Sequence, residues 1–507
     1  MQNTRQLVKN MATQTFSFAI SMIISFFLTK FIVEKIGAEV YGFVGLSNNI
    51  TSYVTVFTAA INSLANRYIT IAYVKGDTES ANKYFSSVTA ANIFVVVLIV
   101  VPAVLMLVWL EKMIHIPASH IVDVKALWAF VFAMFAIQLV FGRMEVATFA
   151  KNRLDLSAMR NMESNVIKLV LLLALYLFFS PKVYYVGISA FVCSLYVIAA
   201  NARYMRNLTP ELKFSRALVD GSAVKEMMGV GIWNSANQMS QMLFTGLDLL
   251  IANLFIGAAG MGLLSISKTL PVHIITFIGM IAGVFYPAMT ISYAKDDKGE
   301  FIHETNFAVR VSGLICSVPV IGIMMFGEPF YRLWLPSLSA GEIREVSILA
   351  ILTLIPQYFS MYLFPLYQVN TLTCKLKVPS IVNVALGVVN VVLVFALLKF
   401  TNLGLYAIAG VSSVLLTLRI LIFVPMYAAY SLKKNIFTFY PPLIRGMILN
   451  VILTVLFGVT AKFIQPGNIL SFILWVGVSA IAGYIIGVLV MFKKEDFKKF
   501  SQMLKKR

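Results

Sequence analysis

The sequence predicts an all-α integral membrane protein with about fourteen transmembrane helices. Of its 507 residues, 59% are hydrophobic and only 12% are charged, and the mean hydropathy is +0.85. Soluble domains carry about 25% charged residues, so a soluble core has no room for this much apolar surface. Apolar runs of about 20 residues, each long enough to cross a bilayer as a helix, recur along the whole chain.

The apolar runs give the order of the predicted spans. The first lacks the short apolar core and cleavage site of a removable signal peptide, so we expect it to stay as an anchor. The fourteen spans are 11–33, 41–66, 88–110, 124–147, 161–180, 183–201, 231–255, 260–289, 306–327, 345–370, 379–398, 404–430, 441–464 and 469–492.

No grouping of residues in the sequence is typical of catalysis, a metal site or a cofactor site. Cys193, Cys316 and Cys374 lack metal-ligand spacing, and we interpret them as packing residues. There is no phosphate-binding loop, and the longest polar stretch, of roughly thirty residues, is too short for an ATPase domain. We therefore predict neither an enzyme nor a cofactor, and any work done across the membrane has to draw on an ion gradient, the membrane potential or a solute gradient.

The net charge of +19 is distributed by loop parity. Alternate connections, beginning with the N-terminus and ending with the C-terminal tail, hold most lysines and arginines, and basic loops stay in the cytoplasm. This predicts an even number of spans with both termini cytoplasmic, in a bacterial inner membrane. It also argues against a nucleic-acid partner, which one basic patch would serve better. The other connections hold only Lys35, Lys112, Lys125, Lys182, Arg332, Arg344, Lys399 and Lys462.

The basic C-terminal tail has apolar residues at helical spacing. Phe497, Phe500, Met503 and Leu504 lie at three- and four-residue steps. Such a pattern is typical of a short amphipathic helix lying on anionic membrane lipids. A frayed, solvated tail is the alternative.

One motif occurs twice. IGAEVYGFVGLS at 36–47 recurs as IGAAGMGLLSIS at 256–267, and ITIAYVKGD at 69–77 recurs as MTISYAKDD at 289–297. Without gaps, twelve of the forty-two positions from 36 to 77 match at an offset of 220. The repeated glycines predict a tight helix–turn–helix at which two spans cross closely.

The repeat predicts two halves of the same orientation. Both copies end where a span enters a basic connection, and six spans separate them. This is a parallel repeat about an axis along the membrane normal, a plan common in transporters. The predicted domains are a six-helix bundle at 1–201, a cytoplasmic linker at 202–230, a second six-helix bundle at 231–430, and two extra spans with the tail at 431–507.

A polar stripe runs along the first and the seventh span. The polar residues of each stripe are spaced three or four positions apart, which places them on one helix face. Thr29 continues the stripe of the first span. Such a face turns towards protein or a water-filled cavity. Helix–helix packing is the interpretation we favour for Ser17 or Ser21 alone, whereas the duplicated stripe favours a cavity. Its members are Gln14, Ser17, Ser21 and Ser25 in the first span, and Asn234, Asn237, Gln241, Thr245 and Asp248 in the seventh.

Cations outnumber carboxylates within the predicted spans. Arg419 and Lys268 lie deep, Arg143 and Lys168 lie nearer the cytoplasmic side, and Asp248 is the one carboxylate at depth. A charge in the bilayer costs a few kcal/mol on insertion scales, so a functional role is the first interpretation. The pattern predicts an anionic substrate, with phosphate as an obvious candidate group.

Snorkelling and ion pairing are the alternatives for these charges. Snorkelling is the interpretation for Lys30, Arg67 and Arg310, which lie nearer the span ends. Asp248 with Lys268, and Arg143 with Glu145, are candidate ion pairs. His273 is interpreted as a packed polar residue.

The IGAEVYGFVGLS motif resembles the polysaccharide flippases of the Wzx type, in the superfamily that includes lipid II flippases and MATE drug exporters. DLLIANLFIG at 248–257, with Gly262 and Lys268, resembles the family's second-half signature. The resemblance implies MATE-like bundles, alternating access and a lipid-linked oligosaccharide as cargo. It also implies roles for Asp248 and Lys268, while Leu28 and Asn48 occupy the equivalent first-half positions.

The predicted function is thus flipping of an undecaprenyl pyrophosphate oligosaccharide for surface polysaccharide or O-antigen synthesis, with H⁺ or Na⁺ as possible coupling ions. Membrane lipids and polysaccharide polymerase or assembly proteins are the expected partners. Two alternatives remain: a cation-coupled MATE-like drug exporter, and a non-transporting scaffold of a polysaccharide assembly complex.

Overall fold

The computed structural model describes residues 2–294, 298–463 and 468–492. Over these ranges the chain is helical and contains no strand. The predicted amphipathic tail, with Phe497, Phe500, Met503 and Leu504, lies outside the described residues.

The first seven long helices, α1 to α7, begin near the N-terminus. Two of them change helical type along their length: α4 passes through a 3₁₀ turn at Gly142–Glu145, and α7 through a π-helical turn at Met242–Gly246. The helices are α1 (Gln2–Ile36), α2 (Ala38–Val74), α3 (Thr78–Val108), α4 (Ile121–Phe141 and Val146–Ala150), α5 (Leu154–Phe178), α6 (Tyr184–Leu208) and α7 (Gly221–Gln241 and Asp248–Phe255).

The second seven helices, α8 to α14, complete the chain. α8 is broken twice, and α12 contains a second π-helical turn at Arg419–Phe423. The helices are α8 (Ala258–Ser267, Thr269–Gly283 and Tyr286–Ala294), α9 (Lys298–Trp334), α10 (Ala340–Leu372), α11 (Lys377–Phe400), α12 (Leu405–Leu418 and Val424–Ser431), α13 (Tyr440–Phe463) and α14 (Ile469–Met491).

Twelve helices of the described chain are long and apolar enough to cross a membrane. This confirms the fold class, although the predicted number of fourteen spans is only approximate. The two predicted spans outside the twelve lie in α2 and α7. Both helices are rich in Ser, Thr, Asn and Gln, which lowers their mean hydropathy.

The chain forms two compact units. The first unit comprises Met1–Ser265 with Asn383–Val388, and the second comprises Ile266–Val382 with Val389–Arg507.

In the first unit, α1 packs on α5, α2 packs along α7, and α4 packs on α6. An apolar cluster with Ile69, Phe85 and Met227 lies where α2, α3 and α7 meet. Gly231 permits the closest approach in this region, because a Cβ at this residue would lie 1.9 Å from the carbonyl oxygen of Ala60.

The chain between α6 and α7 is bound to the start of α3. The Asn82 side chain donates to the carbonyl oxygen of Glu211 (3.0 Å) and accepts from the amide of Lys213 (2.7 Å). At the end of this segment Lys83 pairs with Asp220 at 2.5 Å. The hydrogen bond from Lys83 lowers the pKa of the exposed Asp220 carboxyl below its ordinary value. The predicted linker is therefore held by specific contacts.

In the second unit, α9 packs on α10 and α13, and α10 packs on α12. Tyr362 of α10 is fully buried. Its hydroxyl lies 2.7 Å from the Asn450 Oδ1 atom and 3.0 Å from the Gly446 carbonyl oxygen, both on α13. Gly446 has to be small here, because a Cβ would lie 2.3 Å from the Tyr362 ring. This network fixes α13 to α10.

The three cysteines differ in their surroundings. Cys193 and Cys316 are buried, as expected of packing residues. Cys374 is exposed in the turn after α10, with φ at 56°. The packing interpretation is wrong for Cys374, because its turn carries it to the surface.

Candidate substrate site

The two copies of the repeated motif contact each other within the first unit. Gly37 and Gly257 end their helices with φ at 84° and 107°, conformations in which a side chain is strained. A Cβ on Gly42 would lie 2.9 Å from the Cα atom of Gly262, its counterpart in the other copy. The predicted close crossing is therefore present, and it brings equivalent residues together.

The polar residues of α1 have unequal surroundings. Ser17 is buried, and its hydroxyl donates to the carbonyl oxygen of Ala158 on α5 at 3.0 Å. The Ser21 hydroxyl donates to the Ser17 carbonyl oxygen and accepts from Asn165 of α5, at 2.7 Å in each case. These two serines join α1 to α5, which is the packing role that their residue type favours.

The ends of the α1 stripe differ from these two serines. Gln14 is exposed and Ser25 is half-buried. Thr29 is buried, and its hydroxyl lies 3.1 Å from the Tyr41 hydroxyl of α2. Gln14 is thus the member of the stripe most open to its surroundings.

The α7 stripe is more open than the α1 stripe. Asn234 and Asn237 are half-buried, whereas Gln241 and Thr245 are exposed. Asp248, in contrast, is only 3% exposed. The amide and hydroxyl members therefore remain accessible, while the carboxylate is enclosed by protein.

A π-helical turn interrupts α7 directly before Asp248. A wider turn releases a main-chain carbonyl group from the α-helical ladder. The Gly246 carbonyl oxygen accepts hydrogen bonds from two side chains of α2, Asn49 at 3.0 Å and the Tyr53 hydroxyl at 2.8 Å. In a bilayer such a carbonyl group needs protein donors, so α2 stabilises the distorted turn. Nothing in the sequence marks this turn.

Arg419 begins the second π-helical turn, in α12 of the second unit. Its Nη2 atom donates to the Tyr367 hydroxyl of α10 at 3.0 Å, and the guanidinium lies 5.9 Å from the centroid of the Tyr367 ring. The carbonyl oxygen of Leu421 in the same turn accepts from the Tyr440 hydroxyl at 2.9 Å. Among the described residues Arg419 has no carboxylate partner, and its buried Nε atom has no hydrogen-bond acceptor. Arg419 is half-buried rather than turned fully outwards.

The other predicted cations occupy three different environments. Lys268 is half-buried at the break between two segments of α8. Lys168 is half-buried on α5, with no hydrogen bond or ion pair to any residue in the described ranges. Arg143, in the 3₁₀ turn of α4, donates from Nη1 to the Asn62 carbonyl oxygen at 3.2 Å and to Asn66 Oδ1 at 3.4 Å. These positions do not test the predicted substrate roles, which remain predictions.

The three cations interpreted as snorkelling residues have different surroundings, and their snorkelling stays a prediction. Lys30 is 3.9 Å from Glu34 in the next turn of α1. Arg67 is exposed on α2, and the Arg310 guanidinium lies 6.0 Å from the centroid of the Phe492 ring.

Sequence reasoning overlooked the polar residues of α2. Asn62 exchanges two hydrogen bonds, of 2.9 and 3.0 Å, with the fully buried Asn92 of α3. Several other amides and hydroxyls of α2 are open. The low hydropathy of α2 indicates these residues, but Asn62 and Ser63 have only Ala282 and Gly283 at the repeat offset.

Comparison with known proteins identifies the family of this chain. Residues 36–337 match the model of a family described as polysaccharide biosynthesis protein. The chain belongs to this family. Among its relatives, an uncharacterized membrane protein of Bacillus subtilis (strain 168), EpsK, is 29% identical over 433 residues, which cover 84% of each chain.

Solved structures show the fold of this polysaccharide biosynthesis protein. The lipid II flippase MurJ in an inward closed conformation matches 94% of the chain and 97% of its own, with a TM-score of 0.66 and 14% identity. An inward-facing MATE-family multidrug resistance transporter matches 83% and 96%, with a TM-score of 0.61 and 15% identity. The resemblance drawn from IGAEVYGFVGLS is confirmed in family and in fold.

Proposed function

We propose that this polysaccharide biosynthesis protein is a flippase that moves a lipid-linked oligosaccharide across the bacterial cytoplasmic membrane. Its substrate is an undecaprenyl pyrophosphate carrying a repeat unit for surface polysaccharide or O-antigen. Movement is by alternating access through a cationic central cavity, with both termini in the cytoplasm. Membership of the family and the MurJ-like and MATE-like fold support a transport role.

The observation that carries the proposal is the set of intramembrane cations without carboxylate partners. In the described ranges Arg419, Lys168 and Arg143 form no ion pair, although each lies in a membrane-spanning helix. An unpaired cation in a bilayer costs a few kcal/mol. A pyrophosphate group would offset this cost by supplying the missing negative charge.

Arg419 has the best geometry for this role. Tyr367 accepts a hydrogen bond from Nη2 of the guanidinium, whereas no described residue accepts from Nη1. A planar guanidinium binds phosphate oxygens through two parallel hydrogen bonds. Arg419 also begins a π-helical turn, a feature that occurs frequently at functional sites.

Replacing single cations tests the proposal. We expect Arg419→Ala and Lys268→Ala to insert at wild-type levels and to abolish surface glycan, measured by immunoblotting of cell-surface polysaccharide. Arg332→Ala is the matched control, because Arg332 is exposed and paired with Glu328 at 3.1 Å. We expect this control to export normally. Normal surface glycan in both test variants would refute the cationic cavity.

Asp248 supports a second candidate, an exporter coupled to H⁺ or Na⁺. It is a carboxylate only 3% exposed in a transport protein, and intramembrane carboxylates often bind coupling ions. We expect Asp248→Asn to lose ion-dependent transport while glycan binding persists. If the variant keeps its ion dependence, another group carries the coupling. A scaffold, the third possibility, requires that the purified protein transport neither class of substrate.

A further inference from the structure

α2 carries an open face of amides and hydroxyls along most of its length. We define this amide–hydroxyl face as Asn48, Ser52, Thr55, Ser63 and Asn66. Steps of four, three, eight and three residues keep the five on one side of the helix. The first two and Ser63 are exposed, and the other two are half-buried. From Asn48 to Asn66 the face extends about 27 Å at 1.5 Å per residue, close to the thickness of a bilayer core.

The amide–hydroxyl face offers both donors and acceptors. The hydroxyl hydrogens of Ser52 and Thr55 are donated to carbonyl oxygens one turn back in α2, at 2.6 Å each, so their lone pairs are open. Asn48 and Ser63 are exposed, so their side-chain donors and acceptors are accessible. Asn66 accepts from Arg143 at 3.4 Å, which leaves its NH₂ group free to donate.

Contact with lipid hydrocarbon is energetically unfavourable for the amide–hydroxyl face. Polar groups without partners in hydrocarbon cost several kcal/mol each, so side chains of this kind turn to water or to a polar ligand. Phe57, which lies on the other side of α2, is 78% exposed and has the character of a lipid-facing residue. The two sides of one helix therefore meet different media.

We infer that the amide–hydroxyl face binds the sugar portion of the substrate, which deepens the proposed flippase function and rests on it. The five residues are neutral, with an amide at each end and three hydroxyls between them, so they suit a ligand rich in hydroxyl groups. A cationic drug would require carboxylates, and the face has none. At the Asn66 end the face meets Arg143, which places a cation beside the polar surface.

Cysteine accessibility tests whether the amide–hydroxyl face is exposed to water. Cys374→Ser provides the background, because Cys193 and Cys316 are buried and Cys374 is exposed. We expect Asn48→Cys and Ser63→Cys to react with a charged methanethiosulfonate reagent in membrane vesicles. Phe57→Cys is the matched control on the same helix, and we expect it to stay unreactive. Equal reactivity of all three positions, or reaction at Phe57→Cys alone, would overturn the inference.

Two lipid probes test whether the face recognises sugar. One probe is undecaprenyl pyrophosphate, and the other is lipid-linked oligosaccharide extracted from host cells that lack the transporter. We expect the Asn48→Ala/Ser63→Ala double variant to bind the sugar-bearing lipid about tenfold more weakly, as two lost hydrogen bonds imply. Its affinity for the sugar-free lipid should match the wild type, whereas Arg419→Ala should weaken binding of both.

The outcomes separate this inference from the flippase proposal. If the double variant binds the sugar-bearing lipid as tightly as the wild type, the sugar-binding role is overturned. If the wild type binds neither lipid, the flippase proposal itself is refuted.

Discussion

Gly42 lies against Gly262, the residue that occupies the same place 220 positions later in the repeated motif. A Cβ on Gly262 would lie 2.4 Å from the carbonyl oxygen of Ala38, and one on Gly45 would lie 2.6 Å from the Ser265 hydroxyl oxygen. Residue 265 is itself the counterpart of residue 45. Equivalent residues of the two copies therefore pack against each other, so the duplicated sequence is also a packing element.

Gly262→Ala should destabilise the protein, because the new methyl group meets main-chain atoms that a rotamer change cannot move. We expect a cost of about 1–3 kcal/mol, as for other overpacked sites. Thermal unfolding in detergent measures it. Gly229→Ala on α7 is the matched control, because a Cβ there meets nothing within 4 Å. An equal midpoint for both variants would show that the crossing is loose.

Because the Gly246 carbonyl group has two donors on α2, we expect mutations of these donors to have non-additive effects on stability. Asn49→Ala and Tyr53→Phe each remove one of its two donors, so each should cost at most about 1 kcal/mol while the other donor remains. The double variant leaves the carbonyl group without either α2 donor and should cost more than the sum of the two. Unfolding midpoints of all four proteins check this. Strictly additive values would show that neither donor compensates for the loss of the other.

The hydrogen bonds of Asn82 should protect the chain between α6 and α7 from protease. Asn82→Ala removes two hydrogen bonds to the main chain of that segment, so the peptide bonds after Lys213 and Arg216 should become more accessible. We expect trypsin to cleave there several-fold faster, as measured by gel band intensity and mass spectrometry. Glu79→Ala, also in the first turn of α3, should cleave at the wild-type rate. Unchanged cleavage in Asn82→Ala would show that other contacts suffice.

Tyr362 predicts how strongly α13 is held to α10. Tyr362→Phe keeps the ring but removes the hydroxyl that contacts Asn450 and the Gly446 carbonyl oxygen. Because buried polar groups then lose their partner, we expect a loss of about 1–3 kcal/mol in stability. Tyr430→Phe is the control, since Tyr430 is 66% exposed, and it should unfold as the wild type does. A wild-type midpoint for Tyr362→Phe would contradict the network.

The sequence predicted those features that depend on local conformation or composition. Gly37 and Gly257 predicted the turns in which they lie, because only a residue without a Cβ adopts their positive φ without strain. Hydropathy identified most membrane helices because length and apolarity are local properties.

Other features depend on contacts with residues that are distant in the sequence, and no local sequence pattern predicts these contacts. Helical periodicity placed Ser17 and Ser21 on one face but could not show that this face meets α5. The two π-helical turns have no sequence signal, since the donors that stabilise the first, Asn49 and Tyr53, lie almost 200 residues away. Most of the polar face of α2 was not predicted, because Ser52, Thr55 and Ser63 have apolar residues or glycine at the equivalent positions 220 residues later.

Transport by the purified protein tests the central claim most directly. The full-length chain would be reconstituted into liposomes that carry the extracted lipid-linked oligosaccharide in both leaflets, and a glycosidase added outside would report how much of it becomes accessible. We predict complete digestion with the wild type, and digestion of only the outer-leaflet half with Arg419→Ala or with empty liposomes. Digestion limited to the outer leaflet with the wild-type protein, or complete digestion with Arg419→Ala, would contradict a flippase that moves an anionic glycolipid past this arginine.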